Sequence, residues 1–99
     1  MLIDATPCFY VYLLRCKDNS LYCGQTLHLD RRVAHHNVGN AGAKYTRSRR
    51  PVRLVYYECH PTRRSALQRE YAIKQLTKPA KERLVVSFHK SDFCLGHGV

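Results

Sequence analysis

Three groups of residues in this 99-residue chain have types and spacing suited to chemistry. The first is a pair of phenols, Tyr12 and Tyr22, in two short apolar runs separated by turn residues. The second is Arg32 and His36, one helical turn apart in sequence. The third is a carboxylate, Glu70, with Ala66, Leu67 and Ile73 at its i−4, i−3 and i+3 positions. If that segment is a helix, Glu70 sits on an otherwise apolar face. A charge buried there costs free energy unless it is paired or bound to a cation. A divalent metal is one compensation; Arg32 or Lys74 is another. Mg2+ takes one or two protein carboxylates and fills its octahedron with water and phosphate oxygens. One glutamate on a rigid helix meets that need when a nucleic acid supplies the rest. A phenol ionises at about pH 10, so it serves as a base at neutral pH only beside a cation or a metal-bound water.

These groups need elements to position them. Phe9 to Cys16 is a continuous run rich in Val, Tyr and Phe, short enough for a buried strand. Lys17 to Ser20 is turn chemistry, and Leu21 to Thr26 is again strand-like. A three-residue loop over Lys17, Asp18 and Asn19 pairs Cys16 with Ser20 and Tyr12 with Gly24. That register puts Tyr12 and Tyr22 on one face of the hairpin. A four-residue loop turns Tyr22 to the other face. Gly24 beside the phenols would leave room for a ligand to approach the backbone.

A helix is expected over residues 28–37, with Thr26 as a candidate N-cap. Leu29 and Val33 define its buried side. Arg32 and His36 edge that stripe, while Arg31 and His35 turn toward solvent. Residues 38–42 read as a loop. Residues 52–59 form a third strand, and Pro61-Thr62 starts a second helix over residues 63–76. After Thr77-Lys78-Pro79, a third helix carries Ala80, Leu84 and Phe88 at one-turn spacing. The order is ββαβαα: an α/β fold with a three-stranded antiparallel sheet flanked by helices. A single domain over residues 1–89 is expected, followed by a flexible tail over residues 90–99, which lack periodicity. Of the seven tyrosines, Tyr10, Tyr56, Tyr57 and Tyr71 read as amphipathic packing residues.

The hairpin resembles the paired motifs of the GIY-YIG nuclease family. Tyr10-Val11-Tyr12 stands for the first motif and Tyr22-Cys23-Gly24 for the second. Asp30 to Asn37 is similar to the family's first helix, with its Arg and a His four residues later. Ala66 to Lys74 is similar to the helix that carries its metal-binding glutamate. Within the family the chain resembles the small single-domain bacterial members, which are related to the N-terminal domain of a bacterial repair excinuclease and to homing endonuclease catalytic domains. The run Gly42 to Arg47, followed by Pro51 to Tyr56, is similar to theirs.

The resemblance implies a divalent-metal-dependent endonuclease that hydrolyses DNA phosphodiester bonds, in repair or recombination. It implies five catalytic residues: Tyr12, Tyr22, Arg32, His36 and Glu70. Glu70 would hold one Mg2+ or Mn2+. The planar fork of Arg32 would stabilise developing phosphate charge. Tyr12 would activate or orient the attacking water, and Tyr22 and His36 would shape the site by hydrogen bonding or proton transfer. The chain departs from the family pattern in places. Tyr10 stands where the first motif usually opens with Gly, and Gln25 where some relatives have Lys. Glu82 falls near the position of a downstream Asn carried by several relatives.

Composition points the same way. A formal charge of +10 and a pI near 9.8 favour a polyanionic partner, nucleic acid before membrane. Lys44, Tyr45 and Arg47 interleave an aromatic among basic residues after a Gly/Asn loop, a pattern suited to phosphate contacts with one stacked base. DNA is the expected partner, with RNA not excluded, and a partner protein could supply substrate specificity. No apolar run has transmembrane length, and the N-terminus lacks the basic start of a signal peptide. Five scattered cysteines without a CxxC pair argue for reduced thiols in a cytoplasmic protein and against a structural zinc site. The same spacing argues against a metal-storage or redox protein. The alternative is a nucleic-acid-binding module or subunit with little turnover of its own. Joint retention of Tyr12, Tyr22, Arg32, His36 and Glu70 favours the enzyme, because a pure binder gains nothing from a carboxylate that repels phosphate.

Overall fold

The computed structural model describes residues 8–38 and 43–97, with side chains through residue 88. Three antiparallel strands form the sheet: β1 (Phe9–Arg15), β2 (Leu21–Thr26) and β3 (Arg53–His60) in the order β2-β1-β3. The most apolar segment, β1, is therefore central. The hairpin adopts the three-residue loop. Cys16 N–H donates to Ser20 O at 2.9 Å, Asn19 N–H donates to Cys16 O at 2.9 Å, and Asn19 has a φ of 71°. Asn tolerates that left-handed backbone, and Asp18 Oδ1 holds the turn by accepting from Ser20 N at 3.0 Å. Tyr12 consequently pairs with Gly24.

The pleat sorts side chains onto two faces. Val11, Leu13, Leu21, Cys23, Val55 and Tyr56 lie on one. They pack against Ala66 and Ile73 of α3 (Arg63–Lys74) and against Leu84, Val85 and Phe88 of a long C-terminal helix (Lys78–His97). Tyr12, Leu14, Cys16 and Val52 lie on the other face, covered by Leu29 and Val33 of α1 (Leu29–Asn37). Only these two apolar residues of α1 reach the sheet, so polar anchors matter. Asn37 Nδ2 donates to Val52 O at 2.9 Å, and Asn37 Oδ1 accepts from Val52 N at 2.8 Å. Each such bond contributes about 1 kcal/mol net. Arg50 Nε donates to His36 O at 2.7 Å, satisfying a carbonyl that the helix end leaves open.

The order ββαβαα holds, with one addition: a single turn of helix, α2 (Lys44–Arg47), in the loop before β3. Several details differ from the sequence expectation. The N-cap of α1 is His28, not Thr26, whose hydroxyl instead accepts from His28 N at 3.1 Å. Thr62 caps α3, accepting from Ser65 N at 3.1 Å. Leu67 is 45% exposed and Tyr71 69% exposed, so Tyr71 is no packing residue and the apolar stripe of α3 is narrow. The C-terminal helix, α4, starts at Lys78, because Thr77 caps it and Pro79 is tolerated in a first turn. Its backbone continues past Phe88 to His97. The pair Cys8–Cys59 is a disulfide, with Cα atoms 5.5 Å apart at the β1–β3 edge; this corrects the expectation of reduced thiols throughout. Cys16 and Cys23 are free and buried, and Cys94 lies outside the described side chains.

Candidate active site

The central strand presents Tyr12, 1% exposed, to the α1 face of the sheet. Its phenol lies 2.9 Å from His36 Nε2. The Arg32 guanidinium hydrogen-bonds the same phenol. One turn of α1 thus delivers both groups, as its helical face requires. His36 goes further than an edge position: it is fully buried. Tyr22, half-buried on β2, completes the aromatic cluster. Its ring centroid lies 6.4 Å from that of Tyr12 and 5.1 Å from that of His36.

Gly24 sits beneath this cluster. A Cβ there would lie 2.5 Å from Tyr12 Oη and 3.1 Å from Cε2 of Tyr22. The space read from sequence as room for a ligand is therefore filled by the phenol itself. Gly24 is required by the site, and alanine fits only if Tyr12 moves.

Thr46 of α2 is a site residue that the sequence did not reveal. It is fully buried, and its Oγ1 lies 2.9 Å from His36 Nδ1 and donates to Ala43 O at 2.9 Å. No local periodicity marks it, because a loop carries it to the imidazole.

Glu70 comes from α3, on the opposite face of the sheet. Its side chain is 16% exposed, and Oε2 pairs with Lys74 Nζ at 2.9 Å. Its charge still acts on both phenols, raising Tyr12 and Tyr22. Tyr12, Tyr22, Arg32 and His36 are thus brought together on the α1 face of the sheet, and Glu70 is linked to them by the action of its charge on the two phenols. Glu82 takes no part: its ion pair with Arg15 ties α4 to β1, and Lys78 pairs with it within α4.

The expected strand-holding residues separate. Lys44 and Arg47 are exposed on α2. Tyr45, 40% exposed, already stacks on Tyr22 with centroids 5.9 Å apart, and Arg49 lies 3.9 Å over its ring. Arg49 is in turn tied to Asp18 of the hairpin turn at 3.0 Å. A base stacking on Tyr45 would have to displace one of these partners.

Protonation follows from burial. Burial pushes the Tyr12 phenol up to about 12, against the hydrogen bond from Arg32. Burial, then the charges of Arg32 and Arg50, hold His36 down to about 4. Both are therefore neutral at pH 7. A histidine whose folded value is depressed stabilises the fold fully above its ordinary 6.5 and loses that contribution as pH falls toward about 4. Urea unfolding midpoints are expected to fall over that window, and to fall less in His36→Gln. Glu58 and Glu82, also depressed, contribute acid losses only below their ordinary 4.5.

A family model described as the GIY-YIG catalytic domain matches residues 8–83. The chain belongs to the GIY-YIG family. Among its GIY-YIG relatives, a UPF0213 protein of Clostridium perfringens is 54% identical over 78 residues, covering 79% of this chain and 83% of its own. A UPF0213 protein of Haloquadratum walsbyi is 53% identical over 75 residues, covering 76% and 83%. The solution structure of a UPF0213 protein from Bacillus halodurans shares the fold at a TM-score of 0.52 and 46% identity, over 80% of this chain and 83% of that one. A second solution structure, from E. faecalis, gives 0.58 and 39%, over 88% and 92%. The small α/β architecture is thus that of the GIY-YIG fold, with the paired motifs facing each other across β1 and β2. No helix among the described residues is long and apolar enough to cross a membrane.

Proposed function

We propose that this chain is a divalent-metal-dependent endonuclease that hydrolyses DNA phosphodiester bonds, and that Tyr12, Tyr22, Arg32, His36 and Glu70 carry the reaction. The observation that supports this most is the Tyr12 phenol, buried yet hydrogen-bonded to both a neutral imidazole and a guanidinium, and within reach of the Glu70 charge. A structural tyrosine needs only one such partner.

The donor set suits Mg2+ or Mn2+. Among the described residues no three His, Cys, Asp or Glu side chains cluster. Glu70 would therefore be the protein ligand, with water and phosphate oxygens as the others, as Mg2+ accepts. Lys74, half exposed, can swing away from Glu70 when a cation arrives. Such an ion, when bound, neutralises charge on the phosphate and lowers the pKa of bound water. Arg32 would bind the scissile phosphate and stabilise its equatorial oxygens as charge develops. A phosphodiester on Arg32 also offsets the charge that, after burial, most depresses His36. His36 then becomes a better acceptor for the Tyr12 proton as Tyr12 Oη takes one from the attacking water. Tyr22 would wall the site and exclude bulk water.

Linear, nicked and branched DNA, and RNA, incubated with and without Mg2+ or Mn2+, test this reading. Metal-dependent cleavage of DNA is the expected result. Binding without cleavage would instead support a nucleic-acid-binding module, the reading favoured by the Glu70–Lys74 ion pair, or a subunit whose partner protein supplies substrate specificity.

Strand binding is assigned to Lys44 and Arg47, exposed beside the site. Lys44→Ala and Arg47→Ala should each weaken DNA binding. Each should lower the slope of log affinity against log salt by about one unit. Titrations at several salt concentrations check this; an unchanged slope in both variants would route the strand elsewhere.

A further inference from the structure

The contacts of Thr46 fix the direction of a hydrogen-bond chain through the site. A threonine hydroxyl has one proton. Thr46 donates it to Ala43 O at 2.9 Å. At its 2.9 Å contact with His36 Nδ1, the hydroxyl can then only accept. With the hydroxyl proton on Ala43 O, Nδ1 carries the imidazole proton, Nε2 presents a lone pair to Tyr12 Oη at 2.9 Å, and the phenol donates to the imidazole.

A competing contact shows that this direction depends on Thr46. Ala43 N–H also points at His36 Nδ1, at 3.4 Å. A backbone N–H needs a lone pair there, which belongs to the opposite tautomer. The Thr46 contact is shorter by 0.5 Å, the difference between 3.4 and 2.9 Å.

We propose that Thr46 is a positioning residue for the reaction: it holds His36 in the Nδ1–H tautomer and thereby makes Nε2 the acceptor for the Tyr12 proton. The proposal rests on the reading of this site as a hydrolytic centre in which Tyr12 receives a proton from water. When that happens, the new O–H bond forms at Tyr12 Oη while the old one passes its proton to Nε2. His36 becomes imidazolium, charge is conserved, and no further reactant is needed. His36 starts neutral because burial and Arg32 hold its pKa down.

Thr46→Val tests this by removing the hydroxyl alone. Valine matches the shape of threonine. Ala43 O keeps the amides of Thr46 and Arg47 as donors, at 3.1 and 3.2 Å, so no carbonyl is orphaned. In the variant only Ala43 N–H remains at Nδ1. The imidazole proton should move to Nε2, where it would donate to Tyr12 Oη and close the proton's exit.

The first readout is the nitrogen chemical shifts of His36 at pH 7 in the free protein, which report the tautomer directly. Wild type and Thr46→Ser should show Nδ1–H, and Thr46→Val should show Nε2–H. The second readout is cleavage with Mg2+. Thr46→Val should lose roughly 10- to 100-fold in kcat, the range for groups that orient a site residue, with KM unchanged. Thr46→Ser should recover most of it. An Nε2–H tautomer in wild type overturns the proposal, and that measurement decides even if Thr46→Val does not fold. An unshifted tautomer in Thr46→Val overturns it as well, as does a shifted tautomer with unchanged kcat. Failure of wild type to cleave any substrate would sink the nuclease reading alone, because the tautomer is read without substrate.

Discussion

Replacing Glu70 with alanine is expected to lower metal-dependent cleavage about a thousandfold or more, since a bound cation supplies several kcal/mol of transition-state stabilisation at about 1.4 kcal/mol per decade. The fold should survive. Glu70 is 16% exposed and its ion pair with Lys74 spans one helical turn, with Lys74 48% exposed. Pairs of that kind contribute only about 0.3–0.5 kcal/mol. Affinity for DNA without metal should hold or rise slightly, because a negative charge near the phosphate is removed. The decisive control is Lys74→Ala, which breaks the same ion pair and keeps the carboxylate. If Glu70 acts only as a helix salt bridge, the two variants will behave alike. If it holds the metal, Lys74→Ala will keep most of its activity and bind Mn2+ at least as tightly as wild type. Cleavage rates against Mn2+ concentration, with circular dichroism to confirm folding, separate these outcomes. Equal cleavage by Glu70→Ala and wild type would end the metal assignment.

The parts of this site that sequence makes legible are those fixed by local geometry. Lys17 to Ser20 marks a turn of three or four residues, and once the three-residue form is adopted, period-two alternation places Tyr12 and Tyr22 on one face. The 100° step of a helix places Arg32 and His36 together. What stayed hidden depends on contacts between distant segments. Thr46 reaches His36 through a loop, and nothing in the pattern around it signals burial. Gly24 reads as empty space until its cross-strand partner is known, and that partner is the phenol that fills it. Tyr45 reads as a free stacking platform because its partners, Tyr22 and Arg49, come from other elements or from the far end of its own loop. Leu67 and Tyr71 look apolar enough to be buried, but the apolar side chains that α3 buries against the sheet are Ala66 and Ile73. Cys8 and Cys59 lie 51 residues apart and meet only through the β1–β3 register.

Arg32→Ala should reduce kcat by roughly 10²- to 10³-fold, the loss typical when one preorganised donor to a developing oxyanion is removed. KM should change far less, because the interaction is strongest in the transition state. Arg31 is the control. It has the same charge and sits one residue away, but the helix turns it to solvent. Arg31→Ala should keep kcat near wild type while removing one unit of long-range attraction. Arg32→Lys should fall between, since it preserves the charge but not the planar fork. A second readout needs no substrate. The Arg32 charge is the leading electrostatic cause of the low His36 pKa after burial. Removing it should raise His36 from about 4 toward its ordinary 6.5, whereas removing Arg31 should leave it in place. The same substitution withdraws the hydrogen bond that lowers Tyr12, so the phenol should become harder to ionise. A proton-NMR titration of His36 in both variants, beside single-turnover rates, tests the two roles together. Equal losses of turnover in Arg31→Ala and Arg32→Ala would refute the helical-face assignment. A normal rate in Arg32→Ala with a shifted His36 would leave Arg32 an electrostatic neighbour of the site rather than a ligand of the phosphate.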